Sequence, residues 1–360
     1  KYYAFNYRKK DNFELLKFNN VGQIYNNLSF NTRQNIFSKI GYTANNPLLI
    51  NKDDYRFYDT AYPVTELFFK SVFSQGQLTD ALFTSNINRN INFSLAFKAL
   101  RSLGKYQNSL SGSKHFRFGF SYINKNLDSK LFFISQKLER QENGGLNDVS
   151  LIDFISGEDE FKERSKLNVN FEDAQNIFQT RNLYFNNKFI LLNKNNNLIY
   201  MSHNLDYETT NNNYKQDQPT YLYGQINSGE DDINDHYKFR SIKNKFSIYT
   251  KTRFFDELAV GYINYNYNFF SVSENLEKIT GENTNLIHGN FLKKFRKTKI
   301  EFNIHQKING KRVGNNIYVN LESLGKNRFN YKLFFNILQY HPGMIYDFYQ
   351  SDYSDINYNE

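Results

Sequence analysis

The chain has 360 residues, including 36 Phe, 28 Tyr and no Cys, and 45 Lys and Arg against 36 Asp and Glu give it a net charge of +9. This aromatic content argues against a disordered chain, which typically lacks large apolar groups. The absence of Cys excludes disulfide scaffolds, Cys-based zinc sites and thiol nucleophiles. The basic residues are scattered and form no concentrated patch, so the charge does not indicate a nucleic-acid partner.

The first segment of the chain, residues 1–64, is ambiguous. Tyr3, Phe5 and Tyr7 alternate with other residues and can begin a strand, but the segment can equally form an extension that precedes the strands. After it, apolar and polar residues alternate over long stretches, most clearly at 91–99, 116–122 and 299–308. Alternation with period two predicts strands with two different faces. The predicted strands are 66–74, 79–86, 91–100, 115–124, 129–139, 182–192, 198–208, 236–251, 257–270, 285–295, 299–308, 315–322 and 328–339.

The lengths of these strands and of their connections point to one architecture. Strands of about 9–11 residues can cross a bilayer, whereas strands of soluble sheets are nearer 5–6 residues. Every second connection is short, and the intervening ones include all the long ones, at 101–114, 140–181, 209–235 and 271–284. Residues 159–179 show no sustained helical period and are predicted to be irregular with short turns. Short turns at one end and long loops at the other are typical of an antiparallel transmembrane β-barrel.

A barrel of this kind has a lumen whose lining can be read from the alternation. If the apolar faces point to lipid, the polar residues of the same strands face inward. The predicted pore-lining residues are Asn92, Ser94, Lys98, Arg117, Ser121, Lys299, Glu301, Asn303 and Lys307. This lining is polar and mildly cationic, which predicts a weak preference for anions or neutral solutes. The alternative is a solvated lining with no role in selectivity.

Five motifs in the first 150 residues are specific in order and spacing. They lie at residues 13–25 (FELLKFNNVGQIY), 65–70 (TELFFK), 75–78 (QGQL), 98–107 (KALRSLGKYQ) and 140–146 (RQENGGL). Through these motifs the sequence resembles the putative porins of Bacteroidota outer membranes. The resemblance implies a cell outer membrane location in a Gram-negative bacterium, with short periplasmic turns and long extracellular loops. Members of that family resemble larger β-barrels, so the resemblance also implies that this chain is the N-terminal portion of a longer protein. Thirteen strands agree with an incomplete barrel, because bacterial single-chain barrels have even numbers.

The expected organisation therefore has three parts. Residues 1–64 form a strand or a periplasmic or lumenal extension, residues 65–340 form the barrel strands, and residues 341–360 form a loop or the start of a further strand region. The expected partners are the lipid bilayer of the outer membrane, small hydrophilic solutes and other outer-membrane proteins.

No sequence pattern indicates catalysis, a cofactor or a metal site. The six His residues lack the paired spacing of a zinc site. The acidic tract at 229–235 offers oxygen ligands for calcium but lacks the EF-hand spacing, which favours a solvated loop. The sequence therefore predicts a non-enzymatic protein.

Three functions are compatible with the sequence. The first is an outer-membrane porin-like channel for passive diffusion of small hydrophilic solutes. The second is a non-conducting barrel that serves as a structural or assembly partner in a larger membrane complex, its lumen plugged by the 140–181 loop or by residues 1–64. The third is a soluble β-sandwich or adhesin, for which short strands would be expected.

Overall fold

One antiparallel sheet dominates the computed structural model, which describes residues 14–28, 36–72, 76–194, 197–219, 232–273, 276–324, 330–351 and 355–357. Thirteen strands form it, and each pairs with its neighbours in sequence. They are β3 (Val64–Val72), β4 (Gly76–Asn88), β5 (Ile91–Ser102), β6 (Ser111–Ile123), β7 (Leu127–Gln141), β8 (Gln175–Lys194), β9 (Asn197–Gln216), β10 (Ile233–Lys251), β11 (Glu257–Ser273), β12 (Leu276–Lys294), β13 (Thr298–Lys307), β14 (Asn316–Ser323) and β15 (Lys332–Leu338). Two short hairpins flank the sheet, β1 (Leu15–Lys17) with β2 (Tyr25–Asn27) and β16 (Phe348–Gln350) with β17 (Asp355–Asn357).

The predicted all-β fold is confirmed, and the thirteen predicted strands correspond in order to the thirteen strands of the sheet. The fold is barrel-like but open. Among the described residues, the strand order begins at β3 and ends at β15, and no pairing joins these two edges.

Several strands are longer than predicted. Strands β8 and β9 have 20 residues each, and β10 and β12 have 19 each. The predicted long connection at 271–284 was wrong, because β11 and β12 pair up to the register Ser273↔Leu276. In the missed part of β12 the outward positions carry Ile279, Gly281 and Asn283 and the inward positions carry Thr280, Glu282 and Thr284, so apolar and polar residues do not alternate there.

The connections between the strands differ in length at the two ends of the sheet. At one end, residues 124–126 close a tight turn in which Asn124 Oδ1 accepts hydrogen bonds from the backbone N–H groups of Asn126 and Leu127 at 2.9 and 2.8 Å. Asn suits such turns because its side chain bonds the backbone two residues on. At the other end, residues 142–174 form the longest described connection.

This long connection contains a helix that the sequence analysis missed, α1 (Asp148–Ser156). The Asn147 side chain caps its N-terminus, and Gly157 follows its C-terminus at φ 71°. Both are ordinary helix-boundary signals, but the helix is too short for a sustained period. Short 3-10 helices at Asp159–Lys162 and Arg164–Lys166 fit the predicted short turns. A second short helix, α2 (Met344–Asp347), lies near the C-terminus, and neither described α-helix is long and apolar enough to cross a membrane.

The outer face of the sheet carries an exposed apolar belt near the short-turn end. On β6, for example, Phe116, Phe118, Phe120 and Tyr122 occupy successive outward positions. Towards the long-loop end many outward positions are polar, as at Asn266 of β11, although Phe270 and Val272 of the same strand also face outward. Exposed members of the belt are Phe83, Leu95, Phe97, Phe116, Phe189, Met201, Phe246, Ile248, Val260, Tyr262, Ile287, Leu333, Phe335 and Ile337.

The buried apolar core lies on the opposite, inner face. There, aromatic residues of β10 and β11 such as Phe239 and Tyr267 are covered by two stretches of chain from outside the sheet. One is residues 36–58, called the inner segment, which contributes Ile36 and Ile40. The other is the C-terminal stretch around α2, which contributes Ile345. A smaller cluster joins Tyr25, Leu48, Leu138 and Phe178.

Truncation of the inner-face core is expected to destabilise the fold. Phe239 is 0% exposed, and replacing a buried Phe with Ala typically costs about 3–5 kcal/mol. Phe239→Ala should therefore lower the free energy of unfolding by this amount in denaturant titrations. Phe254→Ala is the matched control, because Phe254 is 78% exposed in the 252–256 turn; equal destabilisation by both changes would contradict the assignment of the core.

Candidate functional site

All nine predicted lining residues lie on the inner face of the sheet. Residues paired directly across antiparallel strands share a face, and the register pairs Asn92 with Ser121 and Ala96 with Arg117. The structure brings the nine together as two groups. The first comprises Asn92, Ser94, Lys98, Arg117 and Ser121 on β5 and β6, and the second comprises Lys299, Glu301, Asn303 and Lys307 on β13. Strands β7–β12 separate the two groups.

The first group is engaged with neighbouring side chains. Arg117 Nη2 lies 3.2 Å from Asp80 Oδ1, so a carboxylate balances its charge. Ser94 Oγ lies 2.7 Å from the hydroxyl of Tyr55, a residue of the inner segment. Ser94 is therefore covered by this segment.

The second group forms a network along β13. Lys299 Nζ donates to Glu301 Oε2 at 3.0 Å, and Asn303 Nδ2 donates to Glu301 Oε1 at 3.0 Å. Asn290 of β12 extends the network by donating to Asn303 Oδ1 at 2.7 Å. Glu301 thus balances the charge of Lys299 within the strand.

The inner segment crosses the inner face from β13 towards β5, and hydrogen bonds hold it along its length. Near its start, Tyr265 of β11 donates a 2.6 Å hydrogen bond to the backbone oxygen of Ser38. In its middle, the Gln136 side chain of β7 accepts from the backbone N–H of Ile50 and donates to its oxygen, at 2.8 and 3.2 Å. Since backbone polar groups away from water need partners, Gln136 substitutes for a strand neighbour.

Further polar contacts anchor the segment to the wall. Buried Arg140 of β7 donates to Asn45 Oδ1 at 2.5 Å and to Asn176 Oδ1 at 2.6 Å. Near the end of the segment the ring of Tyr55 packs on Phe132 with a centroid distance of 4.0 Å. The sequence analysis left the location of residues 1–64 open between a strand and an extension. Within these residues the inner segment, 36–58, lies on the inner face, and residues 1–13 and 29–35 lie outside the described residues.

The 140–181 loop packs at the long-loop end of the sheet. Asn108, from the β5–β6 connection, donates to the backbone oxygens of Glu142, Phe171 and Ala174 at 2.9, 3.2 and 3.4 Å. Asp173 in turn accepts from the backbone N–H of Gln218 at 2.6 Å. The described contacts of this loop are therefore with neighbouring connections at the long-loop end of the sheet.

The sequence analysis missed one group of charged residues on the inner face, formed by three lysines around a carboxylate. We call Lys52, Lys243 and Lys245 the lysine cluster; Lys52 belongs to the inner segment and the others to β10. Lys52 Nζ and Lys243 Nζ both contact Asp206 Oδ2 of β9, at 2.9 and 3.2 Å. Burial disfavours the charged ammonium of Lys52, but attraction and hydrogen bonding from Asp206 outweigh that cost and raise the pKa of Lys52.

Two neighbouring interactions complete the setting of the cluster. Lys39 Nζ of the inner segment lies 3.6 Å from Glu208 Oε2, so this second carboxylate has its own partner. The ammonium of Lys243 also lies 4.9 Å from the ring centroid of Phe37, within the range of a cation–π interaction. Alternation alone could place Lys243 and Lys245 inward, but nothing local indicates that Lys52 joins them.

The polar side chains described on this face interact through ion pairs and hydrogen bonds. Among the described residues, no group of three or more His, Cys, Asp and Glu side chains could hold a metal ion. Residues 229–231 of the acidic tract considered for calcium lie outside the described residues.

Loss of the shared carboxylate is expected to destabilise the protein in a salt-dependent way. Asp206→Asn leaves Lys52 and Lys243 close together without a counter-charge, which should cost about 1–3 kcal/mol. Thermal unfolding at low and high salt measures the effect, and high salt should reduce it because salt screens repulsion. The control is Asp159→Asn, whose ion pair with Lys162 is exposed on both sides, so it should change stability little. An Asp206→Asn effect that is independent of salt would contradict this assignment.

Comparison with known proteins gives a family for the whole chain. No curated protein matches the sequence. The sequence model of one family, described as Putative porin, matches residues 1–360. The match spans the inner segment, all thirteen strands of the sheet and the C-terminal stretch that packs on its inner face. This chain therefore belongs to the putative porin family.

Proposed function

We propose that this protein is an outer-membrane channel through which small hydrophilic solutes diffuse passively. The observation that carries the proposal is the division of the sheet into an exposed apolar belt outside and polar side chains inside. A porin needs this division, because its outer face contacts lipid and its inner face contacts water. Membership of the putative porin family supports the same function.

The height of the apolar belt suits a membrane. On β5 the outward set spans nine residues and comprises Ile91, Phe93, Leu95, Phe97 and Ala99. This length corresponds to roughly 27 Å along a strand and to roughly 20 Å in height at a tilt of about 35–45°. Outer-membrane barrels carry an apolar band of about 25 Å. The polar outward positions of β8–β12, exemplified by Asn266, would then stand outside the bilayer and explain why these strands exceed the length needed to cross it.

The mechanism that follows is diffusion without a chemical step. A solute would pass along inner-face residues such as Asn303 and Glu301, with the inner segment narrowing the path on the side of β5–β9. Width and charge along this path would select solutes.

A second function is favoured by one specific observation. The inner segment and the C-terminal stretch bury a large aromatic cluster on the inner face of β10 and β11. This reduces the open inner surface and is compatible with a non-conducting barrel that serves as a structural or assembly partner in the outer membrane.

Recordings of single-channel currents distinguish the two functions. The full-length protein, purified in detergent and inserted into planar bilayers, should produce discrete and reproducible conductance steps if it is a channel. A correctly inserted, β-rich protein that stays silent would refute the diffusion channel and favour the structural role.

The membrane location is expected to make one outward position far more sensitive to charge than another. Leu95 lies in the middle of the belt on β5, between Phe93 and Phe97, and is 40% exposed. Leu95→Lys should make folding into lipid vesicles less favourable by about 2–4 kcal/mol, which is the cost of placing Lys near the bilayer midplane.

The matched control for this substitution is Asn266→Lys, at an exposed outward position of β11 beyond the belt. It should cost no more than about 1 kcal/mol, as expected near or outside the interface. Equal effects of the two substitutions would contradict a belt embedded in lipid.

A further inference from the structure

We infer that the lysine cluster is a binding site for small oxyanions, namely phosphate or carboxylate groups, and that it makes the channel prefer anions. This inference rests on the proposed channel function and names the solute class that its lumen would favour.

The lysine cluster carries more positive charge than its contacting carboxylate balances. Lys52 and Lys243 share a single carboxylate oxygen, Asp206 Oδ2. Among the described residues, no carboxylate lies within ion-pair distance of Lys245. Three ammonium groups therefore face one directly contacting carboxylate, while the carboxylates of Asp53 and Glu257 act on the cluster only from a longer distance. The direct contacts thus leave an excess of positive charge, which an anion in the lumen would offset.

The strand register holds the lysine cluster in place. Lys243 and Lys245 project from the same face of one strand, since they are two residues apart on β10. Asp206 of β9 lies directly across from Lys243 in the register. The Asp206 side chain is only 15% exposed, which limits the competition of water for its contacts with the two ammonium groups. A preformed site loses less entropy on binding than a mobile one.

Lys245 has polar neighbours. Its cross-strand partner on β9 is Asn204. Two residues further along β10, Ser247 Oγ lies 2.8 Å from His288 Nε2 of β12. The bond passes over Gly261 of β11, where a Cβ atom would lie 2.4 Å from the His288 Nε2 atom and 2.7 Å from Ser247 Oγ. The absence of a side chain at Gly261 thus keeps hydroxyl and imidazole groups beside the cluster.

The donor chemistry defines the class of ligand. Lys ammonium groups are compact point charges with three donors each, and they bind phosphate and carboxylate oxygens through charge-assisted hydrogen bonds. An oxyanion with several oxygens can contact more than one ammonium, whereas chloride offers a single centre. Inorganic phosphate is therefore a suitable probe.

The test compares charge removal on opposite faces of β10. Lys245→Gln removes an inward charge, and Lys238→Gln removes a charge at an outward position of the same strand, paired with Asn211 and Phe270. Reversal potentials in planar bilayers under a potassium chloride gradient give the anion-to-cation permeability ratio. Inorganic phosphate added to the bath should reduce the chloride current.

We expect the unaltered protein to prefer anions and Lys245→Gln to lower the permeability ratio about threefold to fivefold, the effect of one unit charge at close range in water. The same substitution should weaken the phosphate block, whereas Lys238→Gln should leave both readouts unchanged. Lys245→Arg, which keeps the charge, should retain the anion preference. Cation preference of the unaltered protein, or equal behaviour of the two Gln variants, would overturn the inference.

Equilibrium binding separates failure of this inference from failure of the channel function. Radiolabelled phosphate is titrated against the detergent-solubilised full-length protein and the variants. Saturable binding that Lys245→Gln or Lys52→Gln weakens would support the site even if no current is observed. Conducting protein without saturable phosphate binding and without anion preference would retain the channel and reject the site.

Discussion

The register of the antiparallel sheet is the constraint on which every other feature depends. Side chains alternate between faces with period two, so a slip of one residue would move a whole strand's outward set inward. Pairing Phe97 with Phe116 keeps aromatic residues outside, and pairing Asp206 with Lys243 keeps opposite charges together inside. The apolar belt and the inner polar contacts are thus two consequences of one register.

Strands β10 and β11 show what happens when the inner face is itself apolar. Here Phe239 and Tyr267 point inward, and uncovered they would expose large apolar surfaces to a water-filled lumen. Burial of apolar area stabilises a fold by about 25 cal/mol per Å². Docking of the inner segment and the C-terminal stretch over these rings therefore stabilises the folded protein. Over β5–β9 the same inner segment packs Leu48 into an apolar cluster with Leu138 and Phe178. It also makes polar contacts there, such as Lys52 with Asp206. The segment is therefore held by apolar packing over β10 and β11 and by both kinds of contact over β5–β9.

Alternation predicted the thirteen strands and the shared face of residues as distant as Asn92 and Lys307, because period two is a local property of the chain. It failed where both faces of a strand carry mainly polar residues, as at residues 280–284 of β12, and there it replaced the paired ends of β11 and β12 with a loop. It also failed for the inner segment. The contact between Lys52 and Asp206 joins residues 154 positions apart, and no local pattern encodes such a pairing. Whether the predicted residues line an open pore stays a prediction.

The lining illustrates why counting charges along a sequence does not give the field of a lumen. Lys299 and Arg117 suggest a cationic wall, yet each lies beside a carboxylate, Glu301 and Asp80 respectively. Paired charges largely cancel at distances beyond the pair, because the field of a dipole falls faster than that of a single charge. A net charge remains where different elements bring together more charges of one sign than of the other. Among the described residues one such place is the lysine cluster, where the inner segment adds Lys52 to a strand that already presents two inward lysines opposite a single Asp206. The inner segment thus supplies charge to the inner face as well as covering part of it.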